Sequence, residues 1–94
     1  MVDRTKLSNM SSSRAEVFFL RGLAKSKSGD PKGAIDDYNR AISLHPTYAD
    51  AYFQRAVAKS NLGDQRNAIQ DCTNAIDLNG KYAEAFFIRG IIKL

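Results

Sequence analysis

Cys72 and His45 are the residues whose types most readily support nucleophilic catalysis or metal binding, and the chain has one cysteine and one histidine. A catalytic cysteine needs a basic partner, and a metal site needs several clustered ligands. His45 stands beside Pro46 at a predicted helix end, whereas Cys72 takes an apolar position in another predicted helix. We therefore interpret Cys72 as a small buried hydrophobic residue and His45 as a residue that terminates its helix.

Other sequence patterns of catalysis are also missing from the chain. It has no paired cysteines, no histidine cluster, no glycine-rich phosphate loop and no nucleophile elbow. We therefore expect a protein that is not an enzyme and that uses no cofactor and no metal.

Charged residues recur with a fixed spacing that predicts ion pairs. Arginine recurs every thirty-four residues at Arg21, Arg55 and Arg89, and aspartate recurs with the same period at Asp37 and Asp71. The shared period predicts structural ion pairs between Arg21 and Asp37 and between Arg55 and Asp71. If buried, such pairs fix helix register more than they add stability.

The net charge of +4 raises the alternative of a nucleic-acid surface. Both signs are interspersed along the chain, which is typical of a solvated surface. We therefore do not expect a nucleic-acid partner, although Lys25, Lys59 and Lys93 extend the arginine series.

An internal repeat of thirty-four residues organises these positions. Residues 15–48 and 49–82 align without gaps at fifteen identities in thirty-four positions, and residues 83–94 match 15–26 at seven of twelve. Such self-similarity indicates one supersecondary unit stacked on itself.

Each unit is predicted to be a pair of helices. Gly29-Asp30-Pro31 and Gly63-Asp64 break the chain inside the units, and Pro46 and Gly80 break it between them. Ser13 with Glu16 has the spacing of a capping box. We predict an all-α fold with five helices near residues 14–28, 31–44, 48–62, 65–78 and 82–94.

Small, aromatic and proline residues form a pattern that follows the repeat. In the first unit this pattern consists of Phe18, Gly22, Ala34, Tyr38, Ala41 and Pro46. It resembles the tetratricopeptide repeat. Arg21 and Lys25 stand where this family usually has leucine and tyrosine, and Gly80 replaces the proline in the second unit. The resemblance implies a right-handed stack of antiparallel helical hairpins over residues 14–94. Residues 1–13 are basic and rich in serine, and we expect them to form a flexible tail.

The resemblance also implies a protein–protein interaction scaffold with a concave groove lined by the first helices of successive units. The groove would bind a peptide or an amphipathic helix, with Phe19, Phe53 and Phe87 as anchors. Its other predicted residues are Glu16, Leu20, Leu23, Lys27, Asp50, Gln54, Val57, Asn61, Glu84, Ile88 and Ile91. The alternative, that these phenylalanines are ordinary packing residues, stays open.

One branch of this family grips the C-terminal carboxylate of heat-shock chaperones with lysine, asparagine and arginine. At the corresponding places this sequence has Phe19, Leu23, Gln54, Glu84 and Ile88. Because these replacements remove the charge-assisted hydrogen bonds that hold a carboxylate in such a clamp, we predict no chaperone-tail binding by that mode.

The third copy consists of one helix, near 82–94, that is apolar on nearly every side. A terminal repeat normally needs a polar cover. Three arrangements would cover this apolar helix: self-association as a homo-oligomer, the next repeat of a longer array, or a ligand bound in the groove. The residues predicted for self-association are Phe86, Ile91, Ile92 and Leu94.

The hydropathy of the sequence indicates where in the cell the protein is located. No apolar run is long enough to span a membrane, and residues 1–14 lack the apolar core of a signal peptide. We therefore expect a cytoplasmic protein. Its expected partner, from the predicted groove, is a protein or a peptide.

Overall fold

Short turns divide the chain at the glycine and aspartate pairs. The φ angles of Gly29 and Gly63 are 84° and 86°, a left-handed conformation that glycine adopts at no steric cost. After the first turn, the Asp30 carboxylate accepts a hydrogen bond from the Gly33 backbone N–H at 2.9 Å, and Pro31 takes the first helical position. The sequence thereby ends one helix and begins the next within a few residues.

The structure is a computed structural model that describes residues 4–80 and 89–90, with side chains from residue 13 onward. In these residues the chain forms four helices, namely α1 (Arg4–Lys27), α2 (Pro31–Leu44), α3 (Ala49–Asn61) and α4 (Gln65–Leu78). No residue of the described ranges is in a strand. The predicted all-α fold is confirmed.

Helix limits agree with the sequence pattern wherever a breaker residue marks them. Helices α2 and α4 begin and end at the predicted residues, and α3 is one residue shorter at each end than the predicted 48–62. Tyr48 is the N-terminal capping residue of α3, and it makes no side-chain capping bond.

The predicted start of the first helix is wrong. Helix α1 begins at Arg4, so Ser13 lies inside the helix and does not cap it. Residues 4–13 contain no glycine and no proline, and nothing in the sequence prevents the helix from extending through them. The predicted tail at residues 1–13 thus includes a segment whose backbone continues α1.

The predicted fifth helix lies outside the described residues, except for Arg89 and Gly90, which are helical. None of the helices in the described part of the chain combines the length and the apolar character needed to span a bilayer.

The helices form a right-handed stack of two antiparallel hairpins, α1–α2 and α3–α4, in which α2 also packs on α3. Alanines lie in the buried contacts between helices: Ala15, Ala41 and Ala51 form one buried cluster that joins α1, α2 and α3. Small side chains let helix backbones approach closely while larger side chains fill the adjacent space. This packing places α1 and α3 side by side as the first helices of successive units.

Candidate functional site

Each predicted arginine–aspartate pair is in contact across its own hairpin. The Arg21 guanidinium donates from Nε and Nη2 to the Asp37 carboxylate at 3.0 and 2.8 Å. The Arg55 guanidinium donates to the Asp71 carboxylate in the same way at 2.8 and 2.7 Å. Bidentate geometry of this kind fixes the relative position of the two helices in each hairpin.

Lysines join both pairs, which the sequence analysis did not predict. Lys25 Nζ lies 3.0 Å from Asp37 Oδ2, and Lys59 Nζ lies 2.9 Å from Asp71 Oδ2. The signal was present in the sequence, because the lysine follows the arginine by four residues in both units and so shares its helix face. The repeated basic residues therefore neutralise buried carboxylates.

The electrostatics of the first cluster follow from this geometry. The pKa of Asp37 is lowered to about 2, chiefly by the hydrogen bond from Arg21 and also by Lys25, although burial acts in the opposite direction. The side chain of Asp37 is completely buried, so its charge is stable only because these cations surround it.

Further polar contacts distinguish the two hairpins. Arg40 Nη1 lies 3.2 Å from Asp37 Oδ1 and adds a third cation to the first cluster. In the second hairpin, Arg55 Nη1 donates to Asn39 Oδ1 of α2 at 2.8 Å, which connects the two hairpins. Arg55 therefore contacts both its own partner helix and the preceding one.

The predicted phenylalanine anchors are engaged in packing to different extents. Phe53 is only 5% exposed and packs with Ala75 in a buried cluster. Phe19 is half-buried, with its ring centroid 5.9 Å from that of Tyr38 and 5.0 Å from that of Tyr48. Phe87 lies outside the described residues. This geometry favours the interpretation that the two described phenylalanines are packing residues.

The remaining groove residues differ in exposure. Leu20 is 53% exposed, which makes it one of the most exposed large apolar residues of the described chain. The other exposed members are Glu16, Lys27, Asp50 and Asn61, and the half-buried members are Leu23, Gln54 and Val57. Glu84 and Ile88, together with the self-association residues Phe86, Ile91, Ile92 and Leu94, lie outside the described residues.

Cys72 and His45 do not form a catalytic pair. Cys72 is completely buried, as predicted, and burial raises the pKa of its thiol, which keeps it protonated and weakly nucleophilic. His45 contacts Tyr48 edge-on, with ring centroids 5.2 Å apart. No group of three potential metal ligands occurs among the described residues.

An apolar pocket that the sequence analysis missed lies on the first hairpin. It has a volume of about 390 Å³ and is lined by Arg14, Val17, Phe18 and Leu44. The guanidinium carbons of Arg21 and Arg40 lie 5.4 and 5.8 Å from the centre of the Phe18 ring. The pocket joins the start of the first unit to the end of α2, two places that are distant in the sequence.

Comparisons with known proteins agree with this geometry. Two family models match the sequence, one described as TPR repeat over residues 22–63 and one as tetratricopeptide repeat over residues 49–82. No curated protein matches the chain.

Several solved structures are similar to the chain over most of its length. The second TPR of Spaghetti (RPAP3), bound to the HSP90 peptide SRMEEVD, is 32% identical with a TM-score of 0.86, and the match covers 90% of this chain and 78% of that chain. The first TPR of the same protein, bound to the same peptide, is 32% identical with a TM-score of 0.81, covering 84% and 64%.

The Arabidopsis OM64 TPR domain is 32% identical with a TM-score of 0.83, and the match covers 85% of this chain and 66% of that one. The chain therefore spans less than two thirds of the length of two of these three domains. Hairpin architecture, repeat period and sequence identity agree, and the chain belongs to the tetratricopeptide repeat family.

Proposed function

We propose that this protein is a non-catalytic interaction scaffold that binds a peptide or an amphipathic helix along the surface formed by α1 and α3. The observation that carries the proposal is the exposed Leu20 of α1, which lies three residues before the half-buried Leu23 on one helix face. Exposed apolar residues that adjoin along a helix are typical of interaction surfaces. The similar Spaghetti domains, each bound to a peptide, support a peptide as the type of ligand.

The chemistry of the surface selects the ligand. On α3, Gln54 and Val57 are half-buried and contribute a partly apolar floor. Glu16 and Asp50 are exposed at repeat-equivalent positions and place negative charge at one edge. The ligand that fits has apolar anchors and a basic group, and its charge affects the association rate more than the affinity.

We propose that this surface is not a chaperone carboxylate clamp, on the basis of the clamp positions within the described residues. Phe19, Leu23 and Gln54 occupy described positions at which such a clamp needs cations or asparagine. Phe19 and Leu23 offer a carboxylate no hydrogen-bond donor and Gln54 offers one neutral amide, so a carboxylate would lose hydration there without the cations that a clamp supplies. We therefore propose that the ligand differs from the acidic HSP90 peptide of the Spaghetti domains. The proposed setting is the cytoplasm, without a cofactor.

Fluorescence anisotropy with a synthetic helix that carries leucine on one face and lysine on the other tests the proposal. We expect micromolar affinity, because the surface is short and a flexible peptide loses entropy on binding. The double variant Leu20→Ser/Val57→Thr should weaken binding by at least about tenfold. The control variant Leu62→Ser changes a residue that is 44% exposed in the α3–α4 turn and should bind like the wild type.

Equal binding by the double variant and the wild type would refute the groove. Low-micromolar binding of the peptide SRMEEVD, lost in the same double variant, would refute the exclusion of a carboxylate clamp. These two outcomes separate the location of the groove from its chemistry.

A further inference from the structure

Corresponding faces of α1 and α3 differ strongly in burial. On α3, Ala51 and Ala58 are completely buried because they pack against residues of α2. Val17, the repeat equivalent of Ala51, is 63% exposed. The side chains of Arg21 and Arg55, also equivalent, are 51% and 17% exposed. The face that α2 covers on the second hairpin is thus open to solvent on the first, as far as the described residues extend.

The hydrogen bonds of the two arginines show what the covering helix supplies. Arg55 uses Nε and Nη2 for Asp71 and donates from Nη1 to the side-chain oxygen of Asn39 on α2. Arg21 uses the same Nε and Nη2 for Asp37. Arg21 and Arg55 are repeat equivalents. A helix that packed on the first hairpin as α2 packs on the second would therefore place a hydrogen-bond acceptor at Arg21 Nη1.

Charge indicates which acceptor fits best. Arg14 lies one repeat period before Tyr48, and Arg40 lies one period before Asn74. These two differences add two positive charges to the first hairpin relative to the second. Among the described residues Asp37 is the carboxylate that contacts Arg21, Lys25 and Arg40, so this surface keeps an excess of positive charge. An acidic partner complements that excess.

The shape of this surface indicates that the partner also inserts an apolar side chain. We call the surface formed by Arg14, Val17, Phe18, Arg21, Arg40 and Leu44 the α1 edge. Its pocket of about 390 Å³ falls in the range that holds small ligands or single large side chains. The two guanidinium groups near the Phe18 ring border the pocket, so an apolar side chain and a carboxylate can bind next to each other.

We propose that the α1 edge docks an acidic amphipathic helix of another protein. The helix inserts an apolar side chain into the pocket and accepts a hydrogen bond from Arg21 Nη1 through a carboxylate, in the position that Asn39 takes against Arg55. A second copy of the chain fits less well, because α4, the repeat equivalent of α2, exposes one basic residue, Arg66, and one acidic residue, Asp77. That face offers no net negative charge.

The α1 edge adjoins the proposed peptide groove but has different lining residues. Val17 lies one residue after Glu16 and therefore roughly 100° further around α1. Leu20 follows Val17 by three residues and borders both surfaces. Val57 lies on α3, outside the α1 edge, so a variant at Val57 separates binding at the edge from binding in the groove.

The test uses the full chain and a fluorescein-labelled synthetic helix with leucine on one face and glutamate on the other. Anisotropy is measured for the variants Val17→Asp and Arg14→Glu, which change exposed side chains. The matched controls are Leu78→Asp, at a residue 40% exposed on α4, and Arg66→Glu. Circular dichroism confirms that each variant is folded.

We expect each edge variant to weaken binding by at least about tenfold, whereas each control stays within about twofold of the wild type. Val57→Thr in the groove should leave binding of the glutamate helix unchanged.

Three results would overturn the inference. Equal effects of edge and control variants would show that binding is not located at this edge. Displacement of the glutamate helix by single-stranded RNA at equal concentration would assign the edge to nucleic acid. Sedimentation that shows a dimer lost in Val17→Asp would assign it to a second copy.

Discussion

The ring of Tyr38 lies directly against the backbone of Gly22 across the first hairpin. A β-carbon added at Gly22 would come within 2.5 Å of Cε1 and 2.8 Å of Cδ1 of this ring. The second hairpin has Ala56 and Cys72 at the equivalent positions, and these two residues share a buried cluster. Each hairpin thus combines a small residue on its first helix with a side chain of complementary size on its second.

The first prediction concerns this complementarity. Gly22→Ala should lower the free energy of unfolding by about 2 kcal/mol, because overpacking against the buried ring outweighs the helix propensity of alanine. Adding Tyr38→Cys, which reproduces the second hairpin at this position, should recover part of the loss. Urea denaturation measures both variants.

The exposed Ala24 on the same helix provides the control for that prediction. Ala24→Gly should cost about 1 kcal/mol through helix propensity alone. If Gly22→Ala raised stability by a similar amount, the close contact with Tyr38 would be of no energetic importance.

A second prediction follows from the hydroxyl of Tyr38, which is buried and has no hydrogen-bond partner among the described residues. Burial also raises the pKa of Tyr38 to about 12, so the hydroxyl stays protonated. Tyr38→Phe should raise the free energy of unfolding by about 1 kcal/mol, because it removes an unsatisfied polar group and keeps the ring. Thermal denaturation with Tyr52→Phe as control checks this, and a clear loss of stability would contradict it.

The third prediction concerns the stability of the fold at low pH. Because the pKa of Asp37 is lowered to about 2 in the folded state, its charge stabilises the fold above the unfolded pKa and this contribution is lost as the pH falls toward 2. The stability difference between wild type and Asp37→Asn should shrink by on the order of 2 kcal/mol between about pH 4 and about pH 2.

Denaturation curves at several pH values measure this difference, with Asp36→Asn, at an exposed neighbour, as the control. A difference that stays constant over the whole interval would show that Arg21 and Lys25 do not hold Asp37 ionised.

The fourth prediction concerns the second charge cluster. Asp71→Asn should lower the free energy of unfolding by about 3 kcal/mol, because it leaves Arg55 and Lys59, 17% and 21% exposed, without their carboxylate. Replacing both cations by methionine in the same chain should recover about half of the loss. Asp77→Asn changes an exposed aspartate of the same helix and serves as control. Full stability in Asp71→Asn would mean that the cluster is not structural.

The fifth prediction separates packing from binding at the phenylalanines. Phe53→Ala should lower the free energy of unfolding by about 4 kcal/mol, since the ring is buried against Ala75. A loss below about 1 kcal/mol, similar to that of the exposed control Leu62→Ala, would indicate a binding role instead. Guanidinium denaturation of both variants decides between these roles.

Much of this fold was predictable because the relevant signals are local. Gly29, Gly63, Asp30 and Pro31 set the turns through their own backbone preferences, and α2 and α4 begin and end where the sequence indicated. Residues 4–13 had no such signal, and the helix start there was predicted wrongly. A capping pattern at Ser13 is compatible with a helix start but does not require one.

The candidate site was less predictable because exposure depends on neighbours. The sequence predicted the same role for Phe19 and Phe53, but the two differ in burial since different helices pack around them. The lysines at the aspartate clusters had a sequence signal, because each follows the arginine of its cluster by four residues. The pocket beside Phe18 had none, because Leu44 reaches it only through the hairpin.

The sequence by itself determined the helical hairpin, its period and the pairing of Arg21 with Asp37 and of Arg55 with Asp71. These features depend on backbone preferences and on helix faces that repeat every thirty-four residues. Only the tertiary structure decided that Ala51 is buried while its equivalent Val17 is exposed. Equivalent positions have the same orientation on their helices, but α2 packs on α3 and no described helix packs in the same way on α1.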